Sequence, residues 1–383
     1  MPEAIPPSSP TTASHLKQAT AFPVWASMQS NLRPLPTMRR VFAKLFPEDV
    51  QLDFTIAICT YNGGDRIPDV LERLCWQLNA DDLLWEVIVI DNNSTDHTAA
   101  VVERYQRQWP LPVPLRYAFE PRQGASYARH RAVRLARSPL IGFLDDDNLP
   151  SMTWVSAAHR FAQNYPRAGV YGSRIRGDFE INPPENFDRI AQFLALTERG
   201  DEPLIYRPEK KVLPPGAGMV VRRDLWLAHV PPAPTLIGRI DNSMVGGEDL
   251  EAVLHIQQAG WEVWYNPSMR LYHKIPDRRL KRDYLKSLMR GIGLSRQRTR
   301  MLSLLPWQRP LLFWAYHAHD LYKVLRHLVK YRAAIWQDTV AACELTLYVY
   351  SFLSPYYFWG RQALQWLAQW REAREAMPSE AEA

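Results

Sequence analysis

Cysteine is scarce. Cys59, Cys75 and Cys343 are the only three in a chain of 383 residues, and no C-x-x-C pair occurs. That excludes a disulfide-stapled scaffold and fits a reduced, cytosolic compartment. No G-x-x-x-x-G-K-S/T loop is present, and no G-x-G-x-x-G follows the first apolar run, which argues against P-loop kinases and dinucleotide-dependent dehydrogenases. Residues 1–36 have neither a basic n-region nor an apolar h-region, so no secretory signal is expected. Their seven prolines and Ser/Thr runs read as a disordered lead. Internal repeats are missing. So is an unbroken membrane-length apolar run: residues 339–360 are long enough, but Glu344 and Pro355 interrupt them, and an acid at the bilayer centre is costly.

What is present is the ordinary material of a large globular α/β chain, 46% hydrophobic and 22% charged. The net charge of +6 is unevenly spread. Between Lys274 and Arg300 ten Lys/Arg face two Asp, a local +8. From Phe54 onward, short runs apolar on both faces (54–59, 85–91, 114–119, 140–144) alternate with segments of helical periodicity (66–78, from 95, 125–137, from 151). This alternation predicts a mostly parallel sheet covered by helices on both faces. Asn92, Asn93 and Ser94 are candidate caps for the helix from 95. After Gly169 a strand is expected at 169–177 and an irregular stretch at 177–215 with one helix near 186–197. A strand at 217–222, a helix at 247–260 and two short strands, WEVWYN and MRLYH, follow. Beyond Pro306 the chain reads as helical and aromatic.

The polar residues gather where ligands bind open parallel sheets, at the carboxyl ends of strands. The first strand ends in Thr60-Tyr61-Asn62, the second in Asp91-Asn92-Asn93-Ser94-Thr95-Asp96, the fourth in Asp145-Asp146-Asp147-Asn148. Consecutive carboxylates repel one another. An exposed, helix-capping turn would tolerate them, but they abut the apolar LIGFL, and a divalent cation would hold them together. An EF-hand fails: counting from Asp145, position five is Leu149 and position six is not glycine. Further on, Glu248 and Asp249 follow Gly246-Gly247 at the start of a helix. Acids there can be simple capping. They can also serve as a general base that takes a hydroxyl proton.

The blocks FTIAICTYNGG, VIVIDNNSTD, RQGASYARHRAV, FLDDDN, PPGAGMVVRR, GGEDLEAVLHIQQAGW and LYHKIP, in this order, resemble the family 2 glycosyltransferases of the GT-A fold over roughly residues 53–276. The complete layout is most similar to cyanobacterial hormogonium polysaccharide glycosyltransferases. The resemblance implies an inverting hexosyl transfer from a nucleotide diphosphate sugar, a UDP-sugar by family habit, to a glycan or lipid-linked hydroxyl. It implies nucleotide-sugar contacts from Thr60, Tyr61, Asn62, Asp91 (reading the base), Asn93, Gly124, Arg129, Asp145 and Asp146. It implies Mn²⁺ or Mg²⁺ on Asp145 and Asp147, with His273 as a further ligand. Asp249 matches the family's base, and Glu248 would orient the acceptor. His130 stands where Asn is common, and the Q-x-x-R-W signature of processive members is absent.

The expected organisation is a lead at 1–50, a GT-A domain at 51–276, a basic helical extension at 277–372 and a tail at 373–383. The +8 block and the amphipathic, aromatic residues 311–336 suit helices lying on an anionic inner membrane face. No nucleic-acid module is present. Two rival readings remain: a nucleotidyltransferase, disfavoured because the loop TYNGGDR has no Lys, and a non-catalytic glycan-binding or membrane scaffold, which would not need the acids.

Overall fold

The computed structural model describes residues 51–210, 212–240 and 243–375; the expected lead at 1–50 and the end of the tail lie outside them. Four runs form the parallel half of the sheet: β1 (Phe54–Thr60), β2 (Trp85–Asp91), β3 (Leu115–Phe119) and β4 (Leu140–Asp145). Their helices are α1 (Ile67–Cys75), α2 (Thr98–Gln108) and α3 (Ala125–Leu135). Phe54, Ile56 and Ile58 point to one face and pack under α1, whose Ile67, Val70, Leu71 and Leu74 are fully buried. Ala57, Ile88, Ile90, Ile141 and Phe143 point to the other face and meet Ala128, Ala132 and Val133 of α3. Each such aliphatic side chain contributes about 1.5–3 kcal/mol on burial, so both faces are driven to be covered. Glu86 in β2 is a fully buried acid, held by Arg116 and Arg137 at 2.9 and 3.0 Å.

The remaining strands turn the sheet mixed. They are β5 (Asn148–Pro150), β6 (Ala168–Phe179), β7 (Leu204–Ile205), β8 (Val220–Arg222) and β9 (Glu262–Ile275), with α4 (Trp154–Asn164) between β5 and β6. The order is β3-β2-β1-β4-β8-β6-β9-β5, with β7 also on β9. β8 runs antiparallel to both β4 and β6, while β6 and β9 are parallel. The two short strands expected at 261–273 are one strand. It survives Pro267 because its register against β6 jumps from Asn266↔Ser173 to Arg270↔Arg174, so the proline sits in the excursion, where no ladder donor is needed. Asn92, Asn93 and Ser94 do not cap α2, which starts at Thr98; Asp96 instead accepts from the Thr98 amide at 3.0 Å. The helix expected near 186–197 is two 3₁₀ turns, 187–189 and 191–194.

α5 (Arg223–His229) and α6 (Glu248–Gln258) complete the second face. Then come the short α7 (Asp277–Leu280), α8 (Arg282–Leu302), α9 (Arg309–Tyr331) and α10 (Thr339–Glu375). These are no loose appendage. Leu285, Leu288 and Met289 of α8 bury against Val340, Cys343 and Leu347 of α10 and against Phe187, Ile190 and Leu194, forming a third core. Among the described residues no helix is long and apolar enough to cross a membrane. Glu344, within residues 339–360, is paired with Arg189.

Candidate active site

Two turns at the strand ends are locked before any ligand arrives. The Asn62 amide donates to Ser94 Oγ at 2.9 Å, and Asn62 Oδ1 accepts from the Thr95 amide at 2.8 Å. The Asp91 carboxylate accepts from the Ser94 amide at 2.9 Å and from the Tyr117 hydroxyl at 2.8 Å. Both side chains are therefore spent on joining the loops, and Asn93 lies exposed. None of these three lines the cavity described below. The neighbour passed over by sequence reasoning, Asn92, does. It is buried, accepts from the Gly124 amide at 2.7 Å and donates to the Arg122 carbonyl at 2.7 Å. Gly124 has φ +136°, and a Cβ there would lie 2.6 Å from the Ile237 carbonyl, so this turn admits only glycine.

The three acids after β4 separate into three environments. Asp146 turns back into the fold: Thr60 Oγ1 donates to it at 2.6 Å, and Arg66 holds it with Nε at 2.7 Å and Nη2 at 2.8 Å. Asp147 is buried. Arg279 Nη2 lies 2.7 Å and His273 Nε2 3.5 Å from its Oδ2, and Asn148 donates to its Oδ1 at 3.0 Å. Burial opposes its charge, but His273 and Arg279 outweigh this and hold it well below the usual carboxylate range. Asp145 keeps 41% of its side chain open to the cavity. Burial in the cleft, reinforced by the charge of Asp147 and only partly offset by Arg129, pushes it up to about 6. Pairing of β5 with β9, Asn148 opposite His273, brings the imidazole to the acids across more than a hundred residues. Its Nδ1 lies 2.9 Å from the Leu194 carbonyl and Arg279 Nη1 lies 3.0 Å from its Nε2. Asp147 Oδ2 and His273 Nε2 thus converge on one cation, the Arg279 guanidinium.

Arg129 joins this group to the second acid pair. It is buried, its Nη1 donates to Glu248 at 2.8 Å, and its Nη2 lies 3.7 Å from Asp145. Burial opposes the Glu248 charge, but Arg129 wins and lowers its pKa. Asp249 receives no such partner. Burial first, then the charge of Glu248, raises its pKa, while the Gly216 amide donates to its Oδ2 at 2.6 Å and the Leu250 amide to its Oδ1 at 2.8 Å. Adjacent carboxylates driven in opposite directions are the pattern expected of a proton acceptor beside a charged partner.

The two acid groups open into one cavity of about 850 Å³, lined by Thr60, Tyr61, Arg129, Asp145, Asp147, Glu248, Asp249 and His273 among others. Arg66, Arg279 and the Gly216 amide were missed by sequence reasoning. Arg279 had been counted with the +8 block as a membrane-facing charge. Three of that block's ten cations instead pair with buried acids: Arg279 with Asp147, Arg298 with Glu251 at 3.2 Å and Arg300 with Asp320 at 2.5 Å.

A family model described as Glycosyl transferase family 2 matches residues 55–226. The chain is 23% identical over 236 residues to the glucosyl-dolichyl phosphate glucuronosyltransferase of Haloferax volcanii, covering 60% of this chain and 72% of that protein. It is 23% identical over 240 residues to the succinoglycan biosynthesis protein ExoM of Rhizobium meliloti, covering 61% and 71%. Other relatives are matched over as little as 30% of their own length. Among solved structures, the mannosyltransferase PcManGT of Pyrobaculum calidifontis, in complex with GDP-Man and Mn²⁺, superposes with a TM-score of 0.50 at 19% identity, covering 83% of this chain and 93% of that one. At that identity the likeness speaks to the fold, which is of the GT-A kind.

Proposed function

We propose, from the match of residues 55–226 to the Glycosyl transferase family 2 model, that this glycosyltransferase belongs to that family and inverts the anomeric carbon of a nucleotide diphosphate sugar by single displacement onto an acceptor hydroxyl. The observation that carries this reading is Asp249. Its carboxylate is raised in pKa, fixed by the Gly216 amide, and set on the wall of the cavity that also holds Asp145 and Asp147. In the step it explains, the acceptor hydroxyl loses its proton to Asp249 as its oxygen bonds to the anomeric carbon, and the bond from that carbon to the diphosphate oxygen breaks. Glu248, pinned by Arg129, keeps its charge and orients the acceptor. Thr60, Tyr61, Asn62, Asp91, Asn93 and Gly124, with Asn92, frame the nucleotide, Asn62 and Asp91 also tying its loops together. Asp146 holds the first loop through Arg66.

Among the described residues no three Asp, Glu, His or Cys side chains stand together as a ready metal site; what supports a divalent cation is the donor chemistry, since carboxylate oxygens and an imidazole are groups such an ion takes. His273 presents Nε2 because Nδ1 is engaged by the Leu194 carbonyl, and Nε2 and Asp147 Oδ2 already share a cationic partner. Asp145, Asp147 and His273 would hold Mn²⁺ or Mg²⁺, the first being the ion in the PcManGT complex. Such an ion stabilises a departing diphosphate. Arg279 carries positive charge at the same place. The acceptor in this reading is a polysaccharide or lipid-linked glycan, in keeping with the two named relatives and with the sequence's likeness to hormogonium polysaccharide enzymes. Its working place is the inner face of the cell membrane.

The test is transfer kinetics on Asp249→Asn, with Glu248→Gln alongside and donor binding measured by calorimetry. Asn preserves size, so donor affinity is expected to hold while kcat falls at least about 10²–10⁴-fold. In the parent enzyme the rate should rise with pH through a value above that of an ordinary Asp, because the base acts deprotonated and its pKa is raised. Near-normal kcat in D249N would overturn the assignment. Pyrophosphate release from donor would point to a nucleotidyltransferase instead.

A further inference from the structure

The cavity does not end at the acid pairs. Its wall continues along α8 and α9 with Arg296, Arg300, Tyr316, His319 and Lys323. Arg300 is accounted for. It grips the buried Asp320 through both Nη atoms, at 2.5 and 2.9 Å, and lies over the Tyr316 ring. Arg296 and Lys323 are not balanced in this way. Arg296 makes one long hydrogen bond, 3.5 Å to Ser351 Oγ, and Lys323 Nζ faces the Tyr348 ring at 5.6 Å. Burial and the neighbouring guanidinium of Arg300 lower the pKa of Arg296. Burial and both arginines lower that of Lys323. Among the described residues three cations therefore share one carboxylate in a half-buried recess. Two positive charges remain, a disposition that folding alone disfavours.

The recess belongs to the Asp249 end of the cavity. A Cβ built at Gly247, the residue before the Glu248-Asp249 pair, would lie 3.5 Å from Ser295 Oγ, and Ser295 precedes Arg296 on α8. An anion held there shares the cavity with the proton acceptor. We propose that Arg296 and Lys323, with Arg300 fixed by Asp320, form a subsite for a phosphoryl group carried by the acceptor. Calling the occupant the acceptor rests on the transfer reading above; the binding does not. A carboxylate would leave the recess at one positive charge, whereas a phosphoryl dianion closes it. A guanidinium fork and an ammonium are the donor types that recognise phosphoryl oxygens.

The test uses the full chain without divalent metal or nucleotide, titrated calorimetrically with inorganic pyrophosphate. Arg296→Gln and Lys323→Gln should each weaken binding about 10- to 100-fold, the range expected for a charge-assisted hydrogen bond. Arg296→Lys should retain most of it, and Arg104→Gln, on the exposed side of α2, should change nothing. Melting temperatures equal to or above the parent's show that the variants fold. Equal affinity in the parent and in the R296Q/K323Q double variant overturns the proposal. So does a loss in Arg279→Gln that R296Q does not share, since binding would then sit at Asp147. Co-sedimentation with phosphatidylcholine vesicles, with and without phosphatidic acid, identifies the source of the phosphoryl group. Binding that requires phosphatidic acid and is lost in the double variant assigns the subsite to a membrane phosphate. Vesicle binding unchanged by the substitutions, with pyrophosphate binding lost, assigns it to a phosphoryl group outside the bilayer surface. No donor is present and no transfer is read, so failure of the transfer reading would leave these outcomes as they are.

Discussion

Asp145 shows how one carboxylate can cost the empty fold something. Its folded value of about 6 stands above the ordinary 3.8, so the folded chain holds this proton more tightly than the unfolded chain does. By linkage the penalty is absent below the ordinary value, grows as pH rises between the two, and is complete above about 6. Asp145→Asn should therefore raise the melting temperature at pH 7.5 and leave it unchanged near pH 4. Because the side chain is partly open to the cavity, solvent screens the effect, and a rise of about 1–2 °C is expected. Differential scanning calorimetry at both pH values, without metal, checks it; equal shifts at the two would rule the charge out. The acids themselves were legible in the sequence, because carboxylates abutting an apolar run at a strand end have few bland uses. Their division of labour was not. That Asp146 serves Arg66 while Asp147 serves Arg279 depends on partners 80 and 132 positions away in the chain, which no local pattern encodes.

At the scale of elements, the alternation of the first half was readable because both faces of a parallel sheet are apolar. The second half was not, because short antiparallel strands such as β8 take their place from register, not from composition. The most constrained element is α8. Its Gly291 presses on the loop that leads into Glu248: a Cβ there would sit 1.8 Å from the Met244 carbonyl. Gly291→Ala gains about 1 kcal/mol of helix propensity but forces that loop to move, an overpacking cost of about 1–3 kcal/mol or more. A net loss of about 1 kcal/mol in urea unfolding is expected. The accompanying fall in kcat should exceed any change in donor affinity, since the displaced loop carries Glu248 and Asp249 and not the nucleotide turns. Unchanged stability with unchanged kcat would show that the loop is slack.

At the scale of the molecule, α9 is built inside out. Its buried residues are Asp320 and His327, while Leu311, Trp314, Leu321, Leu325 and Leu328 form an exposed strip at helical spacing, continued by Trp307 and Trp336. Apolar strips of this kind on a soluble surface mark an interaction face, and with Lys and Arg nearby they suit the bilayer interface. The triple change Trp307→Ser, Leu311→Ser, Trp314→Ser should reduce binding to anionic vesicles at least about tenfold while leaving donor hydrolysis intact. Sedimentation with phosphatidylserine vesicles measures it, and undiminished binding would assign the strip to a protein partner. The same question cannot be put by cutting the chain after Pro306, although the recognisable sequence blocks all end earlier. Val340, Cys343 and Leu347 complete the core under α8, so truncation would open it. Sequence blocks ended where the shared chemistry ended; the hydrophobic accounting of the fold ran on.

On the proposed metal reading, the guanidinium shared by Asp147 and His273 would make the ion a competitor before it is a cofactor. A divalent ion arriving alone must evict Arg279 from both ligands. An ion arriving with a diphosphate finds the evicted side chain a new anion to hold. Apparent metal affinity should then depend on donor, and by thermodynamic reciprocity donor affinity should depend on metal by the same factor. Order of addition becomes a property of the chain rather than of the assay. Arg279→Gln should uncouple the two, tightening Mn²⁺ binding without nucleotide by about tenfold while erasing most of the gain that nucleotide confers, as electron paramagnetic resonance titration of free Mn²⁺ would register. On that reading a single arginine would decide whether the ion waits for the sugar donor or precedes it.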